Sequence, residues 1–160
     1  MELLNGYTLR EPLRQAGPLP LSQAFSIARQ VATGLAAIHS KGIVHRDLKP
    51  ENVMITRDYK GDMLIKIVDF GAVKFISGDA APDNADLTGT MMIGSARYTS
   101  PENCRGEPLD ERSDIYCLGL MLYEMLAGHH PFNARDWADL VYQHAYIVPP
   151  PLDEICRRNR

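Results

Sequence analysis

His45-Arg46-Asp47-Leu48-Lys49-Pro50-Glu51-Asn52 crowds polar and ionisable residues between the apolar pair Ile43-Val44 and the apolar run Val53-Met54-Ile55. That alternation predicts a loop held between two short strands, with its side chains presented from a rigid frame. Three of those side chains make a chemical set. Asp47 supplies a carboxylate to accept a proton, Lys49 an ammonium to neutralise developing charge, and Asn52 a carboxamide oxygen able to bind a metal. Phosphoryl transfer needs these parts, because its catalysis is mostly positioning and electrostatics.

Working outward, the residues after the octet read as a hairpin: Val53-Met54-Ile55, a polar tip from Thr56 to Asp62, and a return arm from Leu64 to Val68. The return arm delivers Asp69-Phe70-Gly71, a carboxylate at a strand end, suited to a cation, with an aromatic side chain beside it to anchor the loop. An Asp-x-Gly turn is common by itself; its distance from the octet gives it meaning. Before the octet, Ala24, Ala28, Val31, Leu35 and Ile38 recur at helical spacing, flanked by Phe25, Ile27 and Ala32. The pattern predicts one amphipathic helix from Leu21 to Ser40, stopped by Lys41-Gly42, with His39 packed or capping at its end. Upstream, Thr8 and Glu11 have capping-box spacing for a brief helix disturbed by Pro12, Gly17-Pro18-Leu19-Pro20 is a break, and Met1 to Leu4 reads as the tail of a buried strand.

Downstream, Ala72 to Gly94 is small, acidic and turn-rich, the composition of a surface loop. Thr88 and Thr90 are candidate phosphate acceptors there, and a phosphate on either suits the guanidinium of Arg46. Ile115 to Ala127 is apolar on nearly every side, so a helix in it belongs at the centre of the fold, stopped by Gly128. Asp114 falls in its first turn, where a negative charge is favourable. Cys117 and Tyr98 are expected to pack. His129-His130 lacks a partner at ligand spacing and is expected to be solvated or capping. Asn133 is placed to cap a last helix containing Trp137, Leu140 and Val141, before Pro149-Pro150-Pro151.

The composition excludes more than it identifies. A chain of 160 residues with 45% hydrophobic and 23% charged residues fits one globular domain. A net charge of -3, with Lys and Arg scattered, gives no footprint for nucleic acid. The longest apolar run contains Glu124 and is too short to span a bilayer. Three widely spaced cysteines, Cys104, Cys117 and Cys156, imply neither a disulfide framework nor a metal site. With no secretory signal in Met1-Glu2-Leu3-Leu4, the expected location is cytoplasmic, though a longer parent protein has room for a membrane anchor outside this segment.

The octet resembles the catalytic loop of protein kinases, and its Lys-Pro-Glu-Asn ending is the serine/threonine form. Asp69-Phe70-Gly71 is similar to the family's magnesium motif, and Gly94 to Glu102 to the segment that closes the activation loop and receives the substrate peptide. In that segment Ser95 stands for the usual threonine and Ser100-Pro101-Glu102 for Ala-Pro-Glu. The wording of Gly42 to Asn52 and Leu109 to Tyr116 is most like bacterial serine/threonine kinases of the eukaryotic type. The resemblance implies an α+β, protein-kinase-like fold, mainly the helical C-terminal lobe with small β-hairpins. It implies transfer of the ATP gamma-phosphoryl to Ser/Thr hydroxyls of protein substrates, with ATP and Mg2+ as cofactors. On that mapping Asp47 orients the substrate hydroxyl as base, Lys49 stabilises the transferred phosphoryl, and Asn52 and Asp69 hold magnesium. The backbone of Glu2 and Leu4 meets the adenine and Met54 lies beneath it. Asp114 braces the catalytic loop from below, and Ser95 bonds to Asp47 and Lys49.

The resemblance also implies what the sequence does not show. No glycine-rich phosphate loop, no Val-Ala-Ile-Lys-like strand and no helix with a partner glutamate precedes the hinge. The family places an arginine near its C-terminal end to pair with the residue matching Glu102, and no convincing candidate for it stands in this sequence, a loss that costs about 3–5 kcal/mol when such a pair is buried. The expectation is a partial catalytic domain over 1–160: hinge at 1–6, C-lobe 7–160, N-terminal lobe absent, ending before the C-terminal helices. Such a piece is expected to be inactive alone. Two alternatives compete: a non-catalytic, partner-binding kinase-lobe fragment, and a small-molecule phosphotransferase, whose family lacks the Lys-Pro-Glu run.

Overall fold

A computed structural model describes residues 5–15, 17–69, 74–75 and 97–153, the pair 74–75 by backbone alone. The order is β1 (Tyr7–Thr8), α1 (Arg10–Gln15), α2 (Leu21–His39), β2 (Ile43–Val44), a 3-10 turn (Pro50–Asn52), β3 (Val53–Arg57), β4 (Met63–Ile67), β5 (Lys74–Phe75), α3 (Pro101–Cys104), α4 (Glu111–Ala127) and α5 (Trp137–Tyr146). The predicted α+β architecture is what forms: helices around small antiparallel sheets.

Helix α2 turns its apolar stripe inward, burying Ala24, Ile27, Ala28, Val31 and Leu35. Phe25, grouped with that stripe in the sequence, is 53% exposed, because it sits one position off the buried row. Gly34 lets β4 come close: a Cβ there would stand 3.0 Å from Ile67 Cδ1. The hairpin is antiparallel and in register from Val53↔Ile67 to Arg57↔Met63, and β1 joins its other side through Tyr7↔Ile55. Strand β4 is thus an edge, and α2 covers it. Gln30 Nε2 donates to Met63 O at 3.2 Å, and Ile65 N donates to Gln30 Oε1 at 3.0 Å, so one carboxamide replaces a neighbouring strand.

Helix α4 lies against α2, with Cys117, Leu120, Met121 and Met125 in the shared core. It starts at Asp110, whose side chain accepts from Arg112 N, and stops at Gly128 in the left-handed conformation (φ 77). That helix end is packed tightly: a Cβ on Gly128 would meet Pro18 Cδ at 2.6 Å, and Leu19 N donates to Met125 O at 2.7 Å. Ile115 is the exception to the expected burial, half-exposed in the first turn.

Four expectations are corrected. Within Ala72 to Gly94, read as loop, Lys74–Phe75 pair with Ile43–Val44, because β2 offers an open edge. The last helix is capped by Asp136, whose Oδ1 accepts from Asp139 N at 2.8 Å, rather than by Asn133. Trp137, expected within this amphipathic helix, opens it and is 44% exposed, off its buried side. His130 is buried at 4% exposure rather than solvated, while His129 is exposed and caps, its Nδ1 3.0 Å from His130 O. Glu11 Oε1 accepts from Thr8 N at 3.1 Å, as the capping-box spacing predicts. The expected strand at Met1 to Leu4 lies outside the described residues. Among those described, no helix is long and apolar enough to cross a membrane.

Candidate active site

The loop between β2 and β3 is built on one buried carboxylate. Asp114, 1% exposed in the first turns of α4, accepts from His45 N at 2.8 Å through Oδ2 and from Arg46 N at 2.9 Å through Oδ1. His39 Nε2, from the end of α2, lies 2.7 Å from the same Oδ2. Two adjacent N–H groups aimed at one carboxylate require a sharp bend, and Arg46 takes it at φ 67, a conformation that costs a side-chain-bearing residue about 1–3 kcal/mol. His45 closes the arch. Asp47 N donates to its Nδ1 at 3.3 Å, which leaves the ring hydrogen on Nε2, where it faces Val68 O at 3.3 Å.

On the outer side, Asp47, Lys49 and Asn52 converge. Lys49 Nζ donates to Asp47 Oδ2 at 2.7 Å, and Asn52 Nδ2 donates to the same oxygen at 3.0 Å and to Asp47 O at 2.8 Å. Each of these bonds falls on Oδ2 or the main chain, and among the described residues none engages Oδ1. Asn52 is 5% exposed, and with its Nδ2 committed to Asp47 it turns its other polar atom, the carboxamide oxygen, to any further partner. Asp69 follows the end of β4. Val68 N donates to Asn52 O at 2.9 Å, and the chain then bends at Asp69 with φ 62. The hairpin register therefore brings the backbone just before Asp69 against Asn52. A carboxylate and a carboxamide oxygen form a hard donor set that fits magnesium, which takes one or two protein ligands and completes its shell with phosphate and water. Met54, half-buried, lies on the face of β3 opposite Val53 and Ile55, paired with Lys66 and Thr8.

The segment from Arg97 to Ser113 is pinned from several sides. Cys117 Sγ donates to Tyr98 O at 2.9 Å, and burial pushes that thiol up from its ordinary value. His130 Nδ1 accepts from Phe132 N at 3.2 Å, so its Nε2 donates to Arg97 O at 2.7 Å. Ser100 caps α3, and Glu102 within α3 receives the hydroxyl of Ser113. Burial works against the Glu102 charge, but the bonds from Ser113, its own backbone and Ser100 outweigh it and hold the carboxyl below the usual range. Ser113, rather than an arginine, is therefore the partner of Glu102 among the described residues.

Sequence reasoning missed Arg10. Its Nε donates to Glu51 Oε1 at 2.7 Å, Nη1 to Glu124 Oε1 at 3.1 Å and Nη2 to Tyr98 Oη at 2.8 Å, while Tyr98 Oη also bonds Glu124 Oε2. One signal was available: Glu124 is a lone acid inside an apolar helix, and a buried carboxylate needs a cationic or hydrogen-bonding partner. Arg46 Nε is buried with no hydrogen-bond partner among the described residues, which suits it to an anion. Glu2, Leu4, Phe70, Gly71, Thr88, Thr90 and Ser95 lie outside the described residues. A cleft of about 460 Å³ between Asn5–Tyr7, Gln23 and the hairpin contains none of Asp47, Lys49, Asn52 or Asp69.

Comparison with known proteins places these residues in context. The protein kinase domain family matches residues 1–149. The chain is 41% identical over 167 residues to serine/threonine-protein kinase PknL of Mycobacterium tuberculosis, covering 97% of this chain and 39% of that protein. It is 40% identical over 153 residues to serine/threonine-protein kinase pkn2 of Myxococcus xanthus (96% and 18%), and 40% over 152 residues to serine/threonine-protein kinase PknB of Mycobacterium leprae (94% and 23%). The chain thus spans two fifths or less of the length of each of these relatives.

Proposed function

Because this chain belongs to the protein kinase domain family, we propose that it contributes the catalytic loop of a serine/threonine protein kinase that moves the gamma-phosphoryl of ATP to a protein hydroxyl. The observation that carries the reading is the asymmetric environment of Asp47: Oδ2 is held by Lys49 at 2.7 Å and Asn52 at 3.0 Å, while no described residue bonds Oδ1. A carboxylate fixed in that way orients a hydroxyl and accepts its proton as the oxygen becomes a nucleophile. Lys49, already beside Asp47, is placed to neutralise charge on the transferred group. Asn52 and Asp69 would hold magnesium, which when bound shields the phosphate oxygens. Met54 would lie beneath the adenine, with the backbone of Glu2 and Leu4 at its edge. Arg46 would receive a phosphate on Thr88 or Thr90, with Phe70 and Gly71 shaping the turn after Asp69 and Ser95 bonding to Asp47 and Lys49.

Asp47→Asn removes the proton acceptor and keeps the shape. Transfer from labelled ATP to a protein acceptor, measured on the longest natural form of the protein, should fall about 10²–10⁴-fold. Equal turnover by the variant would remove Asp47 from this role.

A further inference from the structure

The Arg10 cluster plays no part in the chemistry above, yet it joins three segments that are distant in sequence. Glu51 lies between Lys49 and Asn52 in the 3-10 turn, Tyr98 stands two residues before the Ser100 cap, and Glu124 belongs to α4. Arg10 itself comes from α1 and is 13% exposed at the side chain, against 10% for Glu124 and 42% for Glu51. Burial opposes its charge, but the bonds to Glu51 and Tyr98 and the Glu124 carboxylate outweigh it, so the guanidinium stays charged.

We propose that Arg10 is a positioning residue that couples the loop carrying Asp47, Lys49 and Asn52 to the segment from Arg97 to Ser100. Only a planar fork with donors in three directions satisfies Glu51, Glu124 and Tyr98 at once; an ammonium in the same place serves one of them well. Each coupled segment is also tied to the core independently. Asp114 holds the loop at His45 and Arg46. Cys117 and His130 hold the other segment at the carbonyls of Tyr98 and Arg97. Among the described residues, Arg10 is the side chain that bonds to both. Its guanidinium also lies 5.4 Å from the Tyr98 ring centroid, so the aromatic and the cation shift together. The catalytic consequence, alignment of the proton acceptor with the peptide-binding segment, rests on the kinase reading; the mechanical coupling does not.

The test uses native-state amide exchange on the 160-residue chain, with phosphate transfer by the longest natural form run in parallel. Asn52 N, bonded to Lys49 O at 2.9 Å, reports the loop, and Cys104 N, bonded to Ser100 O at 3.0 Å, reports the other segment. Ile147 N, bonded to Gln143 O at 2.9 Å at the end of α5, is the control, since it lies in neither coupled segment and Arg10 does not bond its helix. Arg10→Ala and Arg10→Met, the latter keeping the apolar stem in case the alanine variant folds poorly, should speed exchange at Asn52 and Cys104 together, on the order of tenfold, and leave Ile147 unchanged. Millimolar methylguanidinium should restore protection in Arg10→Ala, whose cage it can fill, and not in Arg10→Met. Arg10→Lys should fall between wild type and Arg10→Met. A change at one reporter alone, a uniform rise that includes Ile147, or no response to methylguanidinium overturns the coupling. Coupled exchange in a protein that transfers no phosphate supports the coupling and counts against the kinase assignment instead.

Discussion

Replacing Asp114 by alanine separates two accounts of that residue by magnitude. As a negative charge in the first turns of a helix it would contribute about 0.3–1 kcal/mol, and salt would screen it. The structure shows a different load. Oδ2 and Oδ1 accept from His45 N at 2.8 Å and Arg46 N at 2.9 Å at a site 1% exposed. Alanine leaves both backbone donors buried and unpaired, at about 1–3 kcal/mol each, or roughly 2–6 kcal/mol together. His39 loses its partner as well, and the left-handed Arg46 loses the contact that holds it there. Against a typical total of about 5–15 kcal/mol, that is enough to lower the urea midpoint substantially. Asp114→Asn should cost roughly half as much, because its one oxygen serves one side while its NH2 faces an N–H on the other. Urea unfolding followed by far-UV circular dichroism gives both numbers, provided the slope m is unchanged. Repeating it at about 1 M salt removes any contribution from the helix dipole. A cost below about 1 kcal/mol for Asp114→Ala, or one abolished by salt, would refute the reasoning.

Two further outcomes are expected. Burial, with His130 beside it, pushes the His144 imidazole down to about 4. The folded state therefore binds fewer protons than the unfolded chain between about pH 6.5 and 4, so this contribution is complete above 6.5 and declines as pH falls, by about 3 kcal/mol in all. His144→Gln, which can still bond Tyr116 Oη, should flatten urea stability measured across that range; an unchanged pH slope would exclude the group. Gly128→Ala should lower stability by at least about 1–2 kcal/mol from the left-handed backbone alone. The contact with Pro18 at 2.6 Å adds to that, and a melting temperature equal to wild type would contradict both causes.

The legible parts of this molecule are those set by local rules. The α2 stripe, the hairpin and the Gly42 and Gly128 stops follow from periodicity and backbone preference within a few residues. The weaker readings failed where two local signals competed or where packing decided. Asn133 and Asp136 are both good caps, and the helix begins beside Asp136. Two residues, Lys74–Phe75, carry no period, and they are a strand because the edge of β2 is open to them. The solvated-or-capping expectation for His129-His130 misses the burial of His130, because neighbouring residues cannot show that Arg97 O, 33 positions away, needs a donor.

The sequence alone determined which chemical groups are present and in what order: a carboxylate, an ammonium and a carboxamide within six positions, and a second carboxylate at the end of the returning strand. Short-range spacing carries that information because a loop between two paired strands has few conformations. The tertiary structure decided which oxygen of Asp47 is held, that the backbone before Asp69 bonds to Asn52, and that Arg10 binds residues 41, 88 and 114 positions away. Those contacts depend on how α1, α4 and the hairpin pack. A buried charge takes whatever partner the packing brings within about 3 Å, because leaving it unpaired costs more than any local preference can supply.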